Sequence, residues 1–223
     1  MQTMNGKVVL VTGAGRGMGR ELSLALAAHG ARVALNDISP LNVDEVAQQI
    51  STNGVGQARV YLHDIAKKVA VQTLVNQMVD DFGCIDILIN NANVEPDATL
   101  LNMDEWDLHR VFEVNTIGTF LSMQSVGRVM REQGQGLIVN LLGRLEHTEK
   151  SPTPAYFSSR LAVAGLTWQS AAELAGHGIR VYGLGCGLGL LSAAAPLFTN
   201  AAQAVLDLYN SQDVPTGSIL NIC

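Results

Sequence analysis

An apolar, β-branched run, Val8-Val9-Leu10-Val11-Thr12, breaks into Gly13-Ala14-Gly15-Arg16-Gly17-Met18-Gly19 and then into a segment of helical period. Glycine loses more backbone freedom on ordering than any other residue, so such a cluster does not belong inside a helix or a strand. It suits a tight turn joining a strand to a helix. In that turn the missing Cβ atoms let the backbone approach a pyrophosphate, and the helix start aims its N–H groups at the charge. The spacing is G-x-x-x-G-x-G rather than the commoner G-x-G-x-x-G. A plain strand-to-helix loop would use the same residue types, so the surrounding pattern has to decide.

That pattern is an alternation of short apolar runs with longer helical segments from end to end. The predicted strands are Lys7 to Thr12, Arg32 to Asp37, Ala58 to Asp64, Asp86 to Asn91, Gly136 to Leu142, Arg180 to Gly185 and Ser218 to Ile222. Their near-continuous apolar character suits a parallel sheet covered on both faces. The predicted helices are Met18 to His29, Leu41 to Thr52, Val69 to Phe82, Met103 to Gln133, Ala155 to Gly176 and Ala201 to Ser211. Ser39-Pro40 reads as a helix start, with Ser as N-cap and Pro in the first turn. Right-handed β-α-β crossovers then give an α/β fold, a doubly wound parallel sheet of about seven strands with helices on both faces. Its ligand is expected at the carboxyl ends of the strands. No linker or repeat divides the 223 residues, so residues 1–223 are expected to form a single dinucleotide-binding domain.

Composition narrows the partners. With 48% apolar and 15% charged residues the chain can bury a large core. The formal charge of −6 and the lack of a Lys/Arg-rich run give no footprint for nucleic acid. Three cysteines without C-x-x-C spacing, and five scattered histidines, indicate neither a disulfide framework nor a metal site. Cys186 reads as a small buried hydrophobe. The first apolar run is too short for a signal peptide or membrane span, so a cytoplasmic, soluble protein is expected.

Asp37 ends the second predicted strand. A carboxylate there accepts hydrogen bonds from the adenosine ribose hydroxyls and repels a 2′-phosphate, which favours NAD; NADP stays possible because Arg16 in the turn could pair with that phosphate. Each also has an ordinary alternative, a loop-capping aspartate and a solvated arginine.

Further residues complete a resemblance. The Thr12 to Gly19 turn, Asp37, Asp64, Asn90-Asn91-Ala92, Val114-Asn115, Tyr156 and Thr216-Gly217-Ser218-Ile219-Leu220 resemble the short-chain dehydrogenase/reductase family over essentially the whole chain. The resemblance implies a Rossmann-like fold and an oxidoreductase that moves hydride between a nicotinamide cofactor and a small carbonyl or alcohol. It implies that Thr12, Gly13, Arg16, Gly17, Met18, Gly19, Asp37, Asp64, Ile65, Asn91, Ala92, Tyr156 and Arg160 hold the cofactor, Asp64 through the adenine amino group. Asn90 and Ala92 would line the cleft. Tyr156 would be the general acid or base, Asn115 would hold a relay water, and Arg160 would stand with them as a catalytic residue. The helices from Met103 and from Tyr156 resemble those that pair subunits in the family, so a dimer or tetramer is expected. Ordinary roles remain open as well: a strand-end cap for Asp64, a satisfied helix asparagine for Asn115, a rim tyrosine for Tyr156.

The pattern also breaks. Family enzymes use Asn, Ser, Tyr and Lys, the last two as Y-x-x-x-K, but here Tyr156 is followed by Arg160, and Gly143 stands where the serine belongs. Arginine keeps the charge without the compact ammonium. A lost oxyanion donor typically costs about 10²- to 10³-fold in rate. Restoring serine and lysine is therefore expected to raise activity, and His147, Ser151 or Thr153 are candidate substitute donors. Asn93 replaces the glycine of N-N-A-G, Cys186-Gly187 replaces Pro-Gly, Leu191 and Ser192 lie where a threonine would anchor the carboxamide, and the lid over about 187–214 is short. Leu100, Leu101, Trp106 and Leu188 to Leu191 could line an apolar substrate pocket. Two functions fit: an oxidoreductase with weakened catalysis, or a non-catalytic dinucleotide-binding sensor or structural partner in a hetero-oligomer.

Overall fold

The computed structural model describes residues 4–145, 153–187, 200–211 and 213–222. Its strands are β1 (Val8–Thr12), β2 (Arg32–Asp37), β3 (Gln57–Leu62), β4 (Ile87–Asn90), β5 (Gly136–Arg144), β6 (Ile179–Cys186) and β7 (Ile219–Asn221). Its helices are α1 (Gly17–Ala28), α2 (Pro40–Asn53), α3 (Lys68–Phe82), α4 (Glu105–Phe112), α5 (Thr119–Gln133), α6 (Pro154–Leu174) and α7 (Ala201–Asn210). The strands form one parallel sheet in the order β3-β2-β1-β4-β5-β6-β7. The order reverses between β1 and β4, and the crevice at such a switch point is where a doubly wound sheet takes its ligand.

Both faces of the sheet are covered, as the unbroken apolar runs require. Every residue of β1 and β4 is buried. Val9, Val11, Ile87 and Val139 pack with Leu22, Leu26, Val46 and Val205 of α1, α2 and α7. On the opposite face Leu10, Leu88 and Ile138 pack with Leu74, Met78, Val126 and Met130 of α3 and α5. The edge strand β3 instead alternates exposed and half-buried positions from Gln57 to Val60, with Tyr61 its one buried residue.

Three expectations are corrected, and one is refined. The predicted helix Met103 to Gln133 is two helices joined by a π-helical turn, Glu113–Gly118. The extra residue per turn brings Gly118 against Ile65, where a Cβ would stand 2.8 Å from Ile65 Cδ1. Ser39 does occupy the N-cap of α2, yet its hydroxyl makes no capping bond; its backbone N–H instead donates to Asp37 Oδ1 at 3.0 Å. Strand β5 runs on to Arg144 through a register shift between Leu141 and Gly143. Cys186 is disulfide-bonded rather than a plain hydrophobe, and Cys84 is the free thiol among the described residues. No cluster of His, Cys, Asp or Glu able to hold a metal occurs among the described residues.

Candidate dinucleotide cleft and reaction centre

A cleft of about 340 Å³ opens at the carboxyl ends of the strands flanking the switch point. Of the residues assigned to the cofactor from sequence, Gly13, Arg16, Gly17, Met18, Asp37, Asp64, Ile65, Asn91 and Ala92 line it. The turn above β1 is shaped by contacts that only glycine permits. Gly13 has φ +64°, and a Cβ there would lie 2.8 Å from Ala92 Cα. At Gly19 a Cβ would strike the Gly13 carbonyl oxygen and the Asn91 amide. Thr12 and Gly19 are buried beneath the turn, which they shape without lining the cleft. Thr12 Oγ1 accepts hydrogen bonds from the N–H of Asn91 (3.0 Å) and Ala92 (3.2 Å). Asn91 Nδ2 in return donates to the carbonyls of Thr12 (2.9 Å) and Gly13 (2.8 Å). Helix α1 begins at Gly17 with no side chain capping it, so its first N–H groups stay available to an anion. This cradle fits the pyrophosphate of a dinucleotide.

Two carboxylates stand farther along. Asp37 Oδ2 accepts the Gly15 N–H at 2.8 Å, which locks the acid to the glycine turn. A Cβ on Gly15 would lie 2.9 Å from the same oxygen. Asp64 Oδ1 accepts the Ala66 N–H at 2.9 Å, and its Oδ2 lies 3.7 Å from Arg110 Nη1. Arg110, His63, Asn36 and Val94 also line the cleft and were missed in the sequence. The position of Arg110 depends on how α4 sits over the cleft, which no local spacing encodes. Asn36 has a structural role, because its amide donates to the carbonyls of Tyr61 (3.1 Å) and His63 (2.9 Å) and so ties β2 to the end of β3.

Asn90, expected in the cleft, turns into the core instead. Its Nδ2 donates to Asn140 Oδ1 at 2.8 Å, and Asn140 donates on to Thr167 Oγ1 at 2.9 Å. Asn115 is fully buried on the π-turn. Its Oδ1 accepts the Val94 N–H at 2.8 Å, while Nδ2 donates to the Val94 carbonyl and to Ser159 Oγ, both at 3.0 Å. Both amide hydrogens are thereby committed to holding the β4–α4 loop against α6.

Tyr156 and Arg160 lie on the first turns of α6, both buried, and neither lines the 340 Å³ cleft. The reason is local: the guanidinium is turned onto the tyrosine ring, 5.0 Å from its centroid, and Nη1 donates to the Leu141 carbonyl at 3.2 Å. Among the proposed substitute donors, Thr153 sits at the N-cap of α6 with its hydroxyl unpartnered. His147, Ser151, Leu188 to Leu191 and Ser192 lie outside the described residues.

A family model described as short chain dehydrogenase matches residues 7–202. The chain belongs to the short-chain dehydrogenase/reductase family. It is 36% identical over 180 residues to a D-threitol dehydrogenase of Mycolicibacterium smegmatis, covering 80% of this chain and 68% of that one. It is 35% identical over 179 residues to a 3-oxoacyl-[acyl-carrier-protein] reductase FabG of Thermotoga maritima, covering 80% and 72%. Among solved structures, an NAD+-bound xylitol dehydrogenase superposes with TM-score 0.83 at 28% identity, covering 98% of each chain. A gluconate 5-dehydrogenase from Burkholderia cenocepacia, in complex with NADP and tartrate, also has TM-score 0.83, at 27% identity and 99% and 94% coverage. A nicotinamide cofactor suits this short-chain dehydrogenase/reductase and its cradle. Among the described residues no helix is long and apolar enough to cross a membrane.

One expectation for a family member changes with the geometry. Gly143 has φ +67°, and a Cβ there would fall on the Tyr156 hydroxyl. Putting serine back therefore meets an occupied position rather than an empty one.

Proposed function

We propose that this short-chain dehydrogenase/reductase binds NAD(H) in preference to NADP(H) and transfers hydride slowly between the nicotinamide and a small carbonyl or alcohol. The observation that carries this is Asp37, a carboxylate in the cleft anchored by the Gly15 N–H at 2.8 Å. Held there, it can accept the ribose hydroxyls and would stand against a 2′-phosphate. Gly13 and Gly17 seat the pyrophosphate on the start of α1, with Gly19 packed beneath them, and Asp64, steadied by Arg110, faces the adenine. When bound, the cofactor supplies or accepts the hydride at the substrate carbon. In the reducing direction Tyr156 gives its hydroxyl proton to the substrate oxygen and regains one from solvent, which balances the transfer. With Gly143 in place of a hydroxyl donor the developing oxyanion has fewer partners, and slow turnover follows. The relatives named for threitol and xylitol support a small alcohol or carbonyl substrate. Cytoplasmic localisation and assembly into a homo-oligomer, dimer or tetramer, are part of this reading.

Loss of NADH absorbance against a panel of ketones, quinones and acyl-thioester ketones tests the chemistry. Turnover is expected well below an ordinary rate of about 10 per second, and Tyr156→Phe should remove it while NADH affinity is retained. A rate of that ordinary size in the unaltered chain would contradict the slow chemistry.

A further inference from the structure

Position 143 lies at the carboxyl end of β5, just past the register shift that begins at Leu141. Its left-handed backbone disfavours any side chain. The ideal Cβ position is taken by the Tyr156 hydroxyl, with Tyr156 Cζ 3.2 Å away. The phenol oxygen therefore leaves no room for the first side-chain atom of a serine. Arg160 lies over the tyrosine ring and is bonded through Nη1 to the carbonyl of Leu141. Arg160 is 2% exposed, and among the described residues its Nε has no hydrogen-bond partner and no carboxylate pairs with it. Among the described residues, the ring face and the Leu141 carbonyl are what this buried charge meets. Bulge, glycine, tyrosine and arginine fit together as one unit.

We propose that Gly143 and Arg160 are matched positioning residues for Tyr156: the glycine opens, and the arginine holds, a seat that places the phenol in the space a side chain at position 143 would otherwise take. One hydroxyl then serves the substrate oxygen. The inference rests on Tyr156 as the proton donor of the proposed reaction. It gives the two departures from the family pattern a single cause. A seated tyrosine excludes serine, and a lysine ammonium has neither the planar face that lies on a ring nor the fork that also reaches the Leu141 carbonyl.

The test is thermal unfolding of Gly143→Ala and Gly143→Ser, each with and without Tyr156→Phe, together with NADH titration and turnover. Backbone strain at position 143 penalises both variants whatever stands at 156, whereas the collision with the hydroxyl does not survive Tyr156→Phe. Each single 143 variant is expected to lower Tm by about 5 °C or more, and at least half of that loss should return in the double variant. A 143 variant that folds only once Tyr156→Phe is added supports the proposal equally. In the otherwise intact chain, Gly143→Ser and Arg160→Lys should each lower turnover with NADH affinity kept within about threefold, since positioning and not cofactor binding is disturbed. Equal Tm losses in both backgrounds, or higher turnover in Gly143→Ser, would overturn it. Failure of every form to bind NADH would refute the dinucleotide assignment instead, and the rescue in Tm would still decide this inference.

Discussion

Gly19 packs so closely on the Gly13 carbonyl and the Asn91 amide that even a methyl group has no room. Because Gly13 and Asn91 both line the cleft, Gly19→Ala should displace the cradle as well as strain the packing. A stability loss of about 1–3 kcal/mol is expected, with NADH affinity falling about tenfold or more, measured by thermal unfolding and titration. A second residue makes the stability of the fold depend on alkaline pH. Tyr61 is buried and donates to Asp81 Oδ2 at 2.7 Å. Burial first, and the Asp81 acceptor next, hold its phenol well above the usual range. The unfolded chain releases that proton near pH 10, while the folded chain keeps it. The folded state thus binds more protons there, so stability is full below about pH 10 and falls as pH rises further. Tyr61→Phe should flatten this fall in unfolding curves taken between about pH 9 and 11. Tyr182 and Cys84, raised by burial, and Lys7, raised chiefly by its bond to Tyr209, leave a residual slope of the same sign.

At the scale of elements, the π-turn between α4 and α5 is where Asn115 fastens three segments: the loop after β4, the π-turn itself and α6. Asn115→Ala leaves the Val94 N–H and carbonyl without their partners, and removing such partners costs about 1–3 kcal/mol per buried group. Tm should drop by about 4 °C or more for a chain of this size; an unchanged Tm would show that water replaces the clamp. The outer faces of α5 and α6, with the adjoining π-turn, show a different kind of incompleteness. Ile117, Phe120, Leu161 and Trp168 remain 36–47% exposed, more apolar surface than isolated helices on a sheet need to show. Light scattering at micromolar concentration should report a dimer or tetramer, and Phe120→Glu with Trp168→Glu should shift it toward monomer. A monomer in the unaltered chain, with and without NAD(H), would remove the assembly from the account.

For the molecule as a whole, what the sequence revealed and what it hid follow from the range of the interactions. The run Val8 to Thr12 with its glycine turn, and the alternation after it, are local patterns, and the observed sheet and the lining by Gly13, Gly17, Asp37 and Asp64 follow them. The π-turn after α4 was hidden because it inserts a single residue into backbone that stays helical on both sides, with no Gly-Pro pair to mark it. Ser39 was placed correctly at the N-cap, but whether its hydroxyl accepts from the first turn is a matter of its rotamer, which spacing does not carry. Asn90 in the core, Arg110 in the cleft and the phenol of Tyr156 against Gly143 are contacts between elements far apart in the chain. Spacing along one element carries no sign of them. The central claim, that the cleft is a nicotinamide dinucleotide site tuned by Asp37, is tested most directly by calorimetric titration of the unaltered chain with NADH and with NADPH. The account predicts saturable binding with NADH tighter, and a difference that narrows in Asp37→Ala; binding of neither cofactor, or tighter binding of NADPH, would contradict it.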